Sequence, residues 1–357
     1  IMFERETVFI TGAGASSTFE FPLGADLPNK VRDRAKRLEE LCKKRRNYGQ
    51  LTEYSKSKKE SLSGERASKH WIDLENEARK ISNALTEGGS AVVIDHFLHE
   101  NPSIRELGRI LIAWEICNCE FKAFERNNFV SGSDASERNW VSEIARNISL
   151  GCTRADDLRR NRVQFITFNY DLSLERELYR ALKAREIFDD KSIREFLSDD
   201  RIIHLYGHID WDSSKPPYLS SDELEQFDEA FRASKNMRLV DPVEKNQNKN
   251  LFEDASHFIK QAERLYILGF GFDKRNCERL NLPSSILTPA QNRERRVFIT
   301  NHNDKRVINK AAEQNLGCPE GSLTSKPTYE MLVGTHMTRC CFEKSIQDVY
   351  GALKDDF

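Results

Sequence analysis

Five short runs of β-branched, aromatic and aliphatic residues punctuate the chain. They are Thr7-Val8-Phe9-Ile10, Val163-Gln164-Phe165-Ile166-Thr167, Arg201-Ile202-Ile203-His204-Leu205, Leu265-Tyr266-Ile267-Leu268 and Val297-Phe298-Ile299-Thr300. Each ends in a polar or glycine-containing turn, the pattern of strands buried on both faces of a parallel sheet. Stretches at helical spacing lie between them, among them Ser173 to Leu182 and Phe252 to Ala262. Alternating strand and helix predicts an α/β fold, a Rossmann-like doubly wound parallel sheet.

The first run is separated from the second by a segment without a convincing strand. From about Asn29 to Arg160 the apolar residues recur at helical spacing. Val31 to Lys80 is rich in Lys, Arg and Glu, which predicts a solvated, protruding helical hairpin. Val92 to Phe124 is more apolar and predicts a buried helix pair broken near Asn101-Pro102. The expected organisation is a sheet domain from residues 1–28 and 161–357, interrupted by a large helical insertion subdomain at 29–160.

Size and composition narrow the chemistry. A chain of 357 residues, 31% charged and 38% hydrophobic, can bury a substantial core. A formal net charge of -2 gives no overall reason to expect direct nucleic-acid binding. No apolar run approaches the roughly 20 residues that span a bilayer, so no membrane role is expected. The opening Ile1-Met2-Phe3-Glu4-Arg5-Glu6 lacks the basic start and apolar stretch of a signal peptide. The eight cysteines include no C-x-x-C pair, so neither a zinc module nor another metal site is expected, and scattered thiols suit a reducing, cytoplasmic setting. Lys43-Lys44-Arg45-Arg46 and Lys56-Ser57-Lys58-Lys59 are read as solvated helix faces in preference to phosphate or partner contacts.

Three motifs carry candidate chemistry. Gly12-Ala13-Gly14-Ala15-Ser16 follows the first strand directly, where glycines let the backbone turn tightly toward a pyrophosphate. The third glycine of the dehydrogenase fingerprint is absent, Ser17 standing in its place. The second strand runs into Thr167-Phe168-Asn169-Tyr170-Asp171, polar groups at a strand mouth where open α/β sheets bind ligands. Asn169 could hold a ribose hydroxyl or a water, and Asp171 could orient an amide or stabilise positive charge. Equally, Asp171 could cap the next helix and Asn169 satisfy a turn. The third strand ends His204-Leu205-Tyr206-Gly207-His208, and one of its histidines could act as general base.

Taken together these motifs resemble the sirtuin family, in particular its zinc-free bacterial branch. The resemblance rests on Gly12 to Ser16, on Phe21 to Pro28, on Asn169 and Asp171, and on Leu205-Tyr206-Gly207. Gly269-Phe270-Gly271-Phe272 and Thr300-Asn301 resemble its adenosine-side loops. The segment from about Asn29 to Arg160 is not covered, and Tyr206 stands where the family places its catalytic histidine. The resemblance implies that NAD+ is the substrate and that no zinc is bound. It further implies a NAD+ glycohydrolase in antiphage defence, working beside a HerA-type ATPase or a short Argonaute. Gly12, Ala13, Gly14 and Ser16 would hold the pyrophosphate, with Asn169, Gly269, Gly271, Thr300 and Asn301 also in the binding set. Asn169, Asp171, His208 and His204 would carry the reaction, His208 ranking above His204 because it lies beyond Gly207 at the strand mouth. The long, partly apolar insertion is expected to make the contacts of a homo-oligomer or partner. The rival readings are a non-catalytic nucleotide-binding assembly subunit and a protein deacylase.

Overall fold

Strand side chains divide cleanly between two faces, which is why five short runs suffice to build the centre of the molecule. The structure, a computed structural model, describes residues 3–46, 51–57, 64–88, 94–129, 139–198, 200–211, 219–239, 249–282, 284–287, 295–300, 306–316, 328–333 and 336–343. All five predicted strands form: β1 (Thr7–Thr11), β2 (Val163–Thr167), β3 (Ile202–His204), β4 (Arg264–Leu268) and β5 (Arg295–Thr300). They are parallel neighbours in the order β3-β2-β1-β4-β5. β1 leads outward to β2 on one side and has β4 on the other, so the chain reverses its direction of winding between β1 and β4. Ligands of open α/β sheets bind beyond the carboxyl ends of the strands at such a reversal.

Two further strands were not foreseen. β6 (Thr328–Val333) and β7 (His336–Glu343) form an antiparallel hairpin, with β7 lying parallel to β5 and β6 at the sheet edge. Gly334-Thr335 between two mixed runs was the available hairpin signal. The runs carry too many polar residues to read as buried strands.

One sheet face presents Val8, Ile10, Ile166 and Ile267 to the same core that takes in the insertion helices. The other presents Phe165, Phe9, Tyr266 and Phe298, adjacent across four strands, with ring centroids stacked at 5.3, 4.8 and 4.8 Å. Each such pair contributes about 0.5–1.5 kcal/mol beyond its buried area and pins the register of its neighbours.

The helical insertion is present, with a correction to its character. The Leu27–Arg45 and Gly64–Glu87 helices are not a solvated, protruding hairpin. Val31, Ala35 and Leu38 of the first and Trp71, Leu74 and Ile81 of the second are buried in the main core. Sparse apolar residues at i, i+4 and i+7 are enough to line one stripe, and the charges occupy the rest of each helix. The predicted buried pair is found as Ile94–Glu100 and Arg105–Phe129, with the break at Asn101 to Ile104. The Trp140–Ser149 helix instead packs on the aromatic face of the sheet, so sheet-side packing begins before residue 161. Arg45 and Arg46 are not simply solvated but pair with Asp222 and with buried Glu75 elsewhere in the fold; Lys58 and Lys59 lie outside the described residues. No described helix is long and apolar enough to cross a membrane.

Candidate functional site

The glycine loop and the loop after β4 meet backbone to backbone at the reversal between β1 and β4. Gly12 N–H donates to the Leu268 carbonyl at 3.0 Å, and Gly14 N–H to the Gly269 carbonyl at 3.0 Å. A Cβ on Gly12 would lie 2.7 Å from the Gly269 oxygen, and one on Gly14 would lie 2.8 Å from its Cα. Gly269 itself has φ of +59°, a conformation that side chains disfavour. The glycines are therefore required by contact between two loops. With Ala15 N–H on the Gly12 carbonyl at 2.9 Å, three of the amides expected to face a pyrophosphate are committed internally. Ala13 opens the short Ala13–Ser16 helix, a position whose amide has no intrahelical acceptor.

Ser16 joins this loop to the end of β2. Its hydroxyl donates to Asp171 Oδ1 at 3.1 Å and accepts from Asn169 Nδ2 at 2.8 Å. Asn169 Nδ2 also donates to the Gly12 carbonyl at 3.0 Å. The amide nitrogen of Asn169 is thus fully engaged, and its Oδ1 is the atom left for a ligand. Asp171 is buried and caps the following helix: Oδ1 accepts from the Ser173 amide at 3.1 Å and from the Ser173 hydroxyl. Both bonds to Ser173 and that to Ser16 use Oδ1, which leaves Oδ2. Burial raises the Asp171 carboxyl above its ordinary range, partly opposed by the hydrogen bonds from Ser173 and Ser16.

The two histidines have separate situations. His204 Nδ1–H donates to the Asn169 carbonyl at 3.0 Å, and Nε2 contacts Glu175 Oε1. The two side chains are 7% and 10% exposed. Burial would depress the imidazole, but the Glu175 charge and hydrogen bond outweigh it and raise the His204 pKa. For Glu175 burial acts upward and is overcome by His204, so its carboxyl is lowered. Both shifts favour the imidazolium–carboxylate form, and both ring nitrogens face acceptors, an arrangement that argues against His204 as a proton acceptor. His208 packs against it at 4.8 Å between centroids and directs Nδ1 to the Ile209 carbonyl at 2.7 Å. A carbonyl partner fixes the proton on Nδ1, leaving Nε2 as the acceptor. Tyr206 donates to Asn276 and accepts from Arg279 at 2.9 Å, and burial pushes its phenol up to about 12.

Thr300 closes the other side, its hydroxyl accepting from Gly269 N–H at 2.8 Å. The structure thereby brings Gly12, Gly14, Ser16, Asn169, Asp171, Gly269, Thr300 and His204 into one linked network, with His208 against its edge. Gly271 is exposed with open space around it, and Asn301 lies outside the described residues. Sequence reasoning missed Glu175 and Ser173. The signal for Glu175 was an acid four residues after Asp171, one helical turn on, where both share a face. Among the described residues no cluster of His, Cys, Asp and Glu could hold a metal ion. No protein-family model matches this chain, and no curated protein matches it.

Proposed function

We propose that the crevice beyond β1 and β4 binds NAD+ and hydrolyses its nicotinamide–ribose bond, releasing nicotinamide and ADP-ribose. The observation that carries this reading is the pair of bonds from Asn169 Nδ2 to the Gly12 carbonyl and Ser16 Oγ. They make the turn after β2 and the loop after β1 a single surface at the reversal of the sheet. In this reading the Ala13 N–H, at the start of the Ala13–Ser16 turn, receives the pyrophosphate, and the Gly269 and Thr300 side receives the adenosine. Asn169 Oδ1 accepts a ribose hydroxyl or the attacking water. As nicotinamide leaves with the electrons of the C–N bond, the ribose gains oxocarbenium character. The free oxygen of Asp171 supports that charge or the carboxamide. The water oxygen bonds to the anomeric carbon, and its proton passes to His208 Nε2. No peptide groove is required for this reaction.

A second reading is favoured by Tyr206: its hydroxyl is engaged where the resembled family has its histidine. On that reading the crevice binds NAD+ or ADP-ribose without turnover and regulates a partner. Homo-oligomerisation, a HerA-type ATPase or short Argonaute partner, and a cytoplasmic defence role belong to the same proposal. The test is nicotinamide release from NAD+ by the purified protein, with and without the products of neighbouring genes. Asn169→Ala should reduce release by at least about 10²-fold in a folded protein, and His208→Ala by a comparable factor. Unchanged release by both variants would sink the site. Tight ADP-ribose binding without release would select the second reading.

A further inference from the structure

Consecutive residues of the turn after β2 are held from opposite sides. Asn169 and Asp171 bond to the glycine loop through Gly12 and Ser16. Tyr170 and Leu172, the residues between and after them, are held by the helical insertion. The Tyr170 hydroxyl donates to Asp95 Oδ1 at 3.1 Å, and Asp95 sits on the Ile94–Glu100 helix. The Leu172 amide donates to Glu120 Oε1 at 2.7 Å, and Glu120 sits on the Arg105–Phe129 helix. The chain bends at Tyr170 and Asp171, so a short turn can be gripped from both sides.

Glu120 is the stronger of the two anchors. It is 2% exposed, and its second oxygen pairs with Arg176, one turn into the Ser173–Lys183 helix. The Leu172 amide lies just before that helix, where a donor has no intrahelical partner and is costly to leave buried. A carboxylate at this end is favoured by the helix dipole and by a charge-assisted bond. One side chain therefore holds both the turn and the helix that follows it. If Glu120 is removed, the turn keeps its bonds to Ser16, Gly12 and Asp95 but loses the stronger of its two supports from behind.

We propose that Glu120, assisted by Asp95, is a positioning residue for the Asn169–Asp171 turn, so that the insertion sets the aim of the site. This rests on the NAD+ reading for its effect on turnover, and not for its effect on the turn itself. Four variants separate the contributions. Glu120→Ala removes both contacts. Glu120→Gln retains an acceptor for the Leu172 amide. Tyr170→Phe removes only the hydroxyl held by Asp95 and keeps the ring. Glu39→Ala is the control: Glu39 also lies in the insertion, accepts from Ser82 at 2.7 Å and touches nothing in the turn.

Two measurements are made on each: amide hydrogen exchange across residues 169–176, and kcat and KM for nicotinamide release. Glu120→Ala should raise exchange at Leu172 by about tenfold or more, the expected result of opening a local hydrogen bond without global unfolding. It should lower kcat by about tenfold with a much smaller change in KM, because misaimed groups fail chiefly at the transition state. Glu120→Gln should restore most of the exchange protection, and Tyr170→Phe should show a weaker form of the Ala effect. Equal local exchange in Glu120→Ala and Glu39→Ala would overturn the proposal, reducing Glu120 to a generic structural acid. Should Glu120→Ala fail to fold, wild-type exchange and kcat in both Glu120→Gln and Tyr170→Phe would overturn it instead. Absence of nicotinamide release and of ADP-ribose binding by the wild-type protein would reject the NAD+ reading alone, with the exchange comparison still deciding the role of Glu120.

Discussion

Replacing Glu175 by Gln tests the electrostatic core of the site with a sign as well as a size. In the wild-type protein the buried Glu175 carboxylate raises the His204 pKa above its ordinary 6.5. A raised folded-state value means that His204 contributes its full stability below pH 6.5. That contribution is lost as pH rises through the folded value. Glu175, lowered from its ordinary 4.5, contributes fully above that pH, so the pair is most stabilising between 4.5 and 6.5. In Glu175→Gln the charge and hydrogen bond that chiefly oppose burial are lost, leaving only the Asn169 carbonyl and the Asp171 charge to favour protonation, and the folded histidine is expected to become neutral. At pH 5.5 folding must then strip a proton from a group that holds it in the unfolded chain. With an ordinary value of 6.5 this costs about 1.4 kcal/mol, and by pH 7.5 it is close to zero. Breaking a buried pair by removing one partner costs about 3–5 kcal/mol when the remaining charge cannot neutralise, so the total at pH 5.5 should fall at or below that range. The two side chains are 7% and 10% exposed, so little is lost to solvent screening. Urea unfolding of both proteins at pH 5.5, 6.5 and 7.5 gives the difference directly, and histidines remote from the pair cancel in it. The stability gap should narrow by about 1.4 kcal/mol or more between pH 5.5 and 7.5. Parallel curves would refute the ion pair, and with it the reason for excluding His204 as a base.

Two further substitutions probe the frame around the site. Gly269→Ala places a methyl group in contact with Ala15 N and the Gly14 backbone at φ of +59°, and should cost about 3 kcal/mol or more. A melting temperature within about 2 °C of wild type would show that the two loops do not interlock. Arg295→Met removes a buried guanidinium that donates to the carbonyls of Ala262, Ser285, Ile286 and Lys260, and whose pKa burial pushes down to about 10. Leaving those oxygens unpaired should cost about 2–4 kcal/mol in urea unfolding, and a loss below about 1 would contradict the accounting.

The strands were legible because burial on both faces leaves no polar alternation to confuse the reading. Phe9, Phe165, Tyr266 and Phe298 mark the four strands of the aromatic face by sequence alone. The β6–β7 hairpin was not legible for the converse reason, since Glu330 and Arg339 interrupt its runs. Charge density misled the reading of residues 31–80, where a narrow apolar stripe on each helix reaches the core beneath abundant Lys and Glu. At the site, Asn169 and Ser16 were identified from their turns. Glu175, Glu120 and Asp95 were not, because an acid on a helix ordinarily faces water. Only the tertiary fold shows that Glu175 and Glu120 are buried against His204 and Leu172, and that half-buried Asp95 meets Tyr170. The glycine loop was correctly located, but its glycines answer to Gly269, a residue about 255 positions away whose contact no local pattern encodes.

That last contact has a consequence in time. β1 is an interior strand of the sheet, yet its neighbours are residues 163–167 and 264–268. A ribosome adding about 5–20 residues per second takes roughly 10–50 seconds to travel from the glycine loop to its partner. Throughout that interval Gly12 and Gly14 lack the Gly269 backbone they pack against, and β1 can pair only with β2 once residues 163–167 have been made. The crevice is therefore assembled by the late arrival of β4. A nascent or truncated chain that stops short of Gly269 carries Ser16, Asn169 and Asp171, with their bonds to one another, but lacks the wall that closes the crevice on the β4 side.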